Sequence, residues 1–295
     1  MKPLHVAFTM DCERIAAESP PGGPETWELS ERAIRGYAEL LLNRGYRPTL
    51  FLTPECAQQH PALLTRLAAK GAELALHVHP QSLGDHRFQR YLGEYDAAQQ
   101  AEIIDLAARM VERAIGRRPE SFRPGNCSAN DQTFGLLYSL GFRQGSVSDP
   151  GRRSPQYAAI WEGAVPDPHY VNVADKLAAG DLPFLEVPVT TDPTRHHASG
   201  FPYELRIESG AFHAWHEPII ARTLARMERE RPQLPTLCIF THNVFPYDVP
   251  TDPRRETVLD MTEYLGNLTE YQVIPVTIEE AHAHYRAHLA EHASS

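Results

Sequence analysis

His5-Val6-Ala7-Phe8-Thr9-Met10-Asp11-Cys12-Glu13 is an apolar run that ends in two carboxylates. A run of this length reads as a buried strand. Carboxylates at the edge of a core are costly unless a cation or hydrogen bonds compensate. In α/β proteins, ligands bind at the carboxyl ends of parallel strands. Asp11 and Glu13 are therefore the first functional candidates. The competing reading is a turn-forming Asp11 and a solvated Glu13.

Strand- and helix-like segments alternate along the rest of the chain. Ser19 to Thr26 is a Pro/Gly-rich loop, and Ser30 reads as the N-cap of a helix that ends near Gly45. Thr49–Thr53, Glu73–His79, Ser121–Arg123, Arg143–Val147, Phe184–Val189, Thr236–Phe240 and Tyr271–Val276 read as strands. Helical spacing runs over His60–Lys70, Ala97–Ile115, Asp131–Leu140, Pro218–Arg231 and Arg254–Leu268. Thr277-Ile278-Glu279-Glu280 is a capping box that opens a last helix. Gly151 to Gly180 is irregular, and residues 191–216 read as a long excursion rich in His, Pro and Tyr. The alternation predicts an α/β fold with parallel strands, a distorted (β/α)7-type barrel forming a single domain over residues 1–295.

Bulk properties narrow the function classes. The net charge of −10 argues against nucleic acid or an anionic membrane as a partner. No run of 18 apolar residues predicts a membrane span, and no leader pattern opens the sequence, so a cytoplasmic location is the default expectation. Cys12, Cys56, Cys127 and Cys238 form no CxxC pair, which suits a reducing compartment. The formation of a homo-oligomer is left open.

Polar residues fall at strand ends: Asp11 and Glu13, then His77 and His79, Arg123, and His242. In a β/α barrel these ends open on one face. His77 and His79, two apart on a strand, point to the same side about 6.5 Å apart. With one carboxylate they make the two-His-one-carboxylate set that holds hydrolytic zinc and other divalent metals. Packed, metal-free histidines are the alternative.

The chain resembles the polysaccharide deacetylases of the NodB-homology fold (carbohydrate esterase family four), in a divergent Asp-x-Glu branch. Phe8-Thr9-Met10-Asp11-Cys12-Glu13 looks like the first motif. Gly71 to His77 looks like the run into the histidine motif, and Ser121-Phe122-Arg123-Pro124-Gly125 is similar to the Arg-Pro motif. Gly141 to Val147, Leu185 to Val189, and Ile239-Phe240-Thr241-His242 match later segments in order. The resemblance implies a metal-dependent hydrolase of an N-acyl bond, acting on a small-molecule or glycan substrate. It implies Asp11 as general base, Arg123 as its orienter, His242 as general acid, and Glu13 and His77 as metal ligands. Pro124, Gly125 and Asn126 follow as substrate-binding candidates. The family usually places its second histidine at the position held here by Gln81; either His79 takes that role, with His86 a further candidate, or the metal site is altered, weakened or absent. Asp149 stands near the usual fourth-motif acid. Zinc is the expected cofactor, with nickel, cobalt and manganese as alternatives.

N-deacetylation of a sugar or sugar conjugate is the leading expectation. Ring opening of a small cyclic amide or imide and a non-catalytic carbohydrate-binding barrel stay open. Tyr203, Phe212, Trp215, His196 and His197 read as packing of the excursion rather than as a sugar platform.

Overall fold

The opening run is the spine of the sheet. In the computed structural model, which describes residues 1–18, 22–197 and 200–293, it forms β1 (Lys2–Cys12). β1 pairs in parallel with β12 (Thr236–His242), β2 (Thr49–Leu52) and β13 (Tyr271–Pro275). The sheet continues through β3 (Glu73–Val78), β4 (Ser121–Pro124) and β5 (Gln144–Gly145) to β9 (Leu182–Glu186), all parallel. β8 (His169–Val171) closes that end antiparallel to β9. The result is an α/β fold built on a curled, incomplete barrel.

Period-two alternation sorts each strand. Leu4, Val6, Phe8, Met10 and Cys12 face the layer of helices, where they join the large apolar cluster. Ala7 joins a second cluster with Phe51, Ala75, Leu185, Val187 and Cys238 inside the curl. Asp11 and Glu13 share the parity of Ala7, so they too point inward. The same rule puts His77 beyond Ala75 and Arg123 beyond Ser121 on the inner face. Helix α8 (Ile278–Ala293) adds Ile278, Ala281 and Tyr285 to the inner cluster and so plugs the amino ends of the strands. The carboxyl ends are left to polar residues.

Between β9 and β12 the barrel closes through connecting segments. The Thr190 N–H donates to the Cys238 carbonyl, and the Phe240 N–H donates to the Leu205 carbonyl. The stretch 191–216 is thus drawn against the barrel rather than away from it. It holds the hairpin β10 (Thr191–His196) and β11 (Pro202–Glu204), with residues 198 and 199 outside the described set. Gly151 to Gly180 also contains structure, the two-stranded β6 (Arg153–Ser154) and β7 (Ala159–Ile160) besides β8.

Most helices fall where the spacing puts them: α3 (Pro61–Ala69), α4 (Ala97–Ile115), α5 (Thr133–Ser139), α6 (Glu217–Glu230) and α7 (Pro253–Gly266). A short α2 (Pro54–Gln59), which the spacing does not predict, precedes α3. The first helix is the correction: α1 (Trp27–Leu42) starts earlier, with Thr26 as its N-cap. Ser30 is instead buried, bonded to His60 and Asn243. The loop before α1 begins in residues 19–21, outside the described set. The Thr277 capping box forms as expected, with Glu280 N–H to Thr277 Oγ1 and Thr277 N–H to the Glu280 carboxylate. Among the described residues, no helix is long and apolar enough to cross a membrane.

Candidate active site

Glu13, His77 and His79 converge where β1 and β3 end. Glu13 Oε1 lies 3.2 Å from His77 Nε2 and 2.9 Å from His79 Nε2. All three ligand atoms lie within 4.8 Å of one another. His77 Nδ1 is 2.9 Å from the Arg123 carbonyl and donates to it, which leaves the Nε2 lone pair facing the Glu13 oxygen. A lone pair against a carboxylate is repulsive unless a proton or a cation lies between them. One carboxylate and two imidazoles, one with its outer nitrogen anchored to the backbone, suit a divalent metal. Burial pushes the His77 imidazole down, but Asp11 and Glu13 outweigh it and raise its basicity. Burial pushes Glu13 up, yet His79 and His77 hold it well below the usual carboxylate range. The exposed His86 stands outside this cluster.

Asp11 is separated from Glu13 by its partner. Its Oδ1 accepts from Arg123 Nη1 at 2.7 Å. Arg123 is buried and fully engaged: Nη1 also donates to Thr9 Oγ1, Nη2 to Ser146 Oγ, and Nε to the Ser146 carbonyl. Its guanidinium lies 4.2 Å from the Phe51 ring centroid. Burial raises the Asp11 carboxyl, but Arg123, His77 and His242 together hold it below its ordinary value. An ionised carboxylate kept in place by a rigid guanidinium is suited to accept a proton.

His242 ends β12, in register with Asp11. Its Nδ1 is 2.6 Å from Glu208 Oε1 and 3.4 Å from Arg206 Nη2. One nitrogen cannot donate to Glu208 and accept from Arg206 at once. The shorter, charge-assisted contact decides it: Nδ1 carries the hydrogen and donates to Glu208. Nε2 is then the nitrogen available to a substrate. Glu208 also accepts from Thr241 Oγ1 at 2.7 Å and Arg206 Nε at 2.9 Å. Burial raises its carboxyl, but His242 and Arg206 bring it down to about 2. Asn243 ties the two strand ends together, donating from Nδ2 to the Glu13 carbonyl and accepting the Glu13 N–H on Oδ1.

Asp11, Glu13, His77, His79 and His242 line one cavity of about 260 Å³, with Arg123 and Glu208 behind them. Of the Arg-Pro segment, Pro124 and Asn126 line it. Gly125 makes room instead. A Cβ there would lie 2.3 Å from the His79 ring, so only glycine lets that imidazole sit where it does. Asn126 and Cys127 are both left-handed, with φ of 58° and 53°, a costly conformation for side-chain-bearing residues. Asp149, Arg152, Tyr157, Phe201, Glu204 and Arg206 complete much of the wall. Tyr203, Trp215 and His197 instead stack on one another at 4.2–5.0 Å, and Phe212 is buried. Cys12 faces away from the site toward the helices, its free thiol donating to the Met10 carbonyl, and burial raises that thiol.

Comparison with known proteins follows the same line. Residues 28–145 match the family model described as polysaccharide deacetylase. The matched segment carries His77, His79 and Arg123; Asp11, Glu13 and His242 lie outside it. A Mycobacterium smegmatis protein assigned as a polysaccharide deacetylase is 17% identical, with a TM-score of 0.63 over 97% of this chain and 91% of that one. A probable polysaccharide deacetylase from Pseudomonas aeruginosa is 17% identical, with a TM-score of 0.62 over 96% and 91%. Puue allantoinase is 16% identical, with a TM-score of 0.62 over 96% and 90%. The fold of this chain is the deacetylase barrel fold. No curated protein matches the sequence.

Proposed function

We propose that the chain is a metal-dependent hydrolase that cleaves an N-acyl bond, removing acetate from an N-acetylated sugar or sugar conjugate. The observation that carries this reading is the convergence on one cavity of a metal-type triad, a base fixed by a buried guanidinium, and a histidine fixed by a buried carboxylate. The family match over residues 28–145 supports the choice of reaction.

Glu13, His77 and His79 would hold the metal, with zinc the first choice for this donor set. When bound, a divalent cation would polarise an acyl carbonyl and make a water more acidic. Asp11 takes the proton of the attacking water, and Arg123 keeps Asp11 ionised and aimed. His242 gives a proton from Nε2 to the leaving nitrogen, which otherwise would depart as an amine anion. Glu208 fixes the tautomer that makes this possible. Asn126 and Pro124 stand against the substrate.

The small volume of the cavity favours a second reading, ring opening of a small cyclic amide by the same residues. The test is a substrate screen scoring acetate release against ring opening, run beside metal analysis. Acetate release that tracks bound metal supports the first reading. A fully active metal-free protein overturns it.

A further inference from the structure

One part of the cavity wall plays no part in the chemistry above. Asp149 and Glu204 come from different elements, the turn after β5 and the end of β11, and both are buried. Both line the cavity. As a carboxylate, Asp149 presents an Oδ1 with no hydrogen-bond partner among the described residues. Its Oδ2 has a long 3.5 Å contact with Arg152 Nη1, and the Asp149 carboxyl lies within hydrogen-bond reach of the Glu204 carboxyl. Glu204 Oε1 is likewise 3.9 Å from Arg206 Nη1. Arg152 is held against the Phe201 ring at 4.3 Å and reaches Ser154 Oγ with Nε.

Buried carboxyls in native proteins normally have their acceptor sites filled. Burial and mutual repulsion raise both acids, and a proton on one lets the pair bond to each other. Two carboxyl groups offer roughly eight acceptor lone pairs, and one shared proton fills few of them. The two guanidiniums next to the pair make this wall poor for a cation. The carboxyls make it poor for an anion. What fits is a neutral group that donates and accepts side by side.

We propose that Asp149, Glu204 and Arg152 form a recognition subsite for a neutral, donor-rich group of the substrate, either adjacent hydroxyls or ureide N–H groups. This rests on the hydrolase reading for its reaction but not for its binding. Asp149 and Glu204 accept the ligand's N–H or O–H hydrogens, and Arg152 donates to its oxygen. The cavity volume suits a single ring. The subsite therefore selects substrates by the polar group that flanks the scissile bond.

The test is direct binding by calorimetry, with N-acetylglucosamine as the hydroxyl probe and hydantoin as the ureide probe. The proteins are the unaltered chain, Asp149→Asn, Glu204→Gln and Arg152→Met. Zinc titration and melting temperature are the controls for a folded site, and three variants keep the test open if one does not fold. At least one probe binds the unaltered protein, and its Kd rises about tenfold or more in the folded variants while zinc binding is unchanged. Which probe binds identifies the donor class. Failure of both probes to bind, or variants that bind as well as the unaltered protein, overturns the subsite. Binding without any hydrolysis would instead overturn the reaction assigned above and leave the subsite standing.

Discussion

Replacing Arg123 with Met tests the physical centre of the site without any knowledge of the substrate. The Arg123 side chain is 2% exposed and its partner Asp11 8%. Met keeps much of the apolar contact beside Phe51 and Phe240 but removes every polar contact of the guanidinium. Asp11 then keeps its burial and loses its opposing charge, and Thr9 and Ser146 lose a donor. Breaking one side of a buried ion pair costs about 3–5 kcal/mol. At about 2–4 °C per kcal/mol, the melting temperature falls by roughly 6–20 °C. Adding Asp11→Asn removes the stranded carboxylate, so the double variant is more stable than the sum of the two single losses by at least about 1 kcal/mol. The assay is urea and thermal denaturation with a chelator present, so that bound metal does not mask the difference. A loss below about 1 kcal/mol for Arg123→Met, or strict additivity of the two changes, refutes the argument that Arg123 exists to hold Asp11.

Other outcomes follow from the same geometry. Asp11→Asn abolishes hydrolysis with metal still bound, whereas Glu13→Ala releases the metal; elemental analysis giving the reverse means the two roles are exchanged. Glu208→Gln loses one charge-assisted bond to His242, about 1.5–3 kcal/mol, and lowers kcat about 10- to 100-fold with KM little changed; kcat within about threefold in a folded variant counts against Glu208 as a positioning residue. The Glu208 carboxyl titrates near 2 when folded and near 4.5 when unfolded. Its contribution, roughly 3 kcal/mol, is therefore present above pH 4.5 and is lost as pH falls toward 2. The stability gap between the protein and Glu208→Gln closes over that window, and a gap constant from pH 7 to 3 contradicts it. Gly125→Ala drives a methyl into the His79 ring and weakens metal binding about 10- to 100-fold, read by competition with a chelating dye.

The strand ends are legible in the sequence because side chains alternate with period two. Ala7, Asp11 and Glu13 share one parity, so an apolar residue inside the barrel dictates where the carboxylates point. His77 and Arg123 follow by the same rule. Glu208 is not legible: it sits in a short helical turn (Ile207–Ser209) after a hairpin, 34 residues before its partner. No periodicity links such positions; only the closure of the barrel through Leu205 and Phe240 does. Asn243 carries a signal, its place beside His242 at the end of β12, but its bonds to Glu13 span 230 residues. The error at Ser30 has a local cause. Thr26 and Ser30 are both cap-type residues one turn apart, and nothing local tells a cap from a buried hydroxyl that bonds to His60.

The pairing of β1 with β12 has a consequence for how the chain comes to be made. The strand that leads the sequence finds one flanking neighbour only after more than 230 further residues exist. At roughly 5–20 residues per second, that wait during synthesis is roughly 10–50 s. Through it, Met10 sits on a strand with one open edge and Val6 and Phe8 on a stretch open at both, the kind of surface that invites association with other chains. Timing as well as chemistry thus bears on yield: slow translation, or a chain cut before Thr236, leaves Asp11 without His242 and an adhesive strand unpaired. Contacts this distant in sequence also form slowly once the chain is complete.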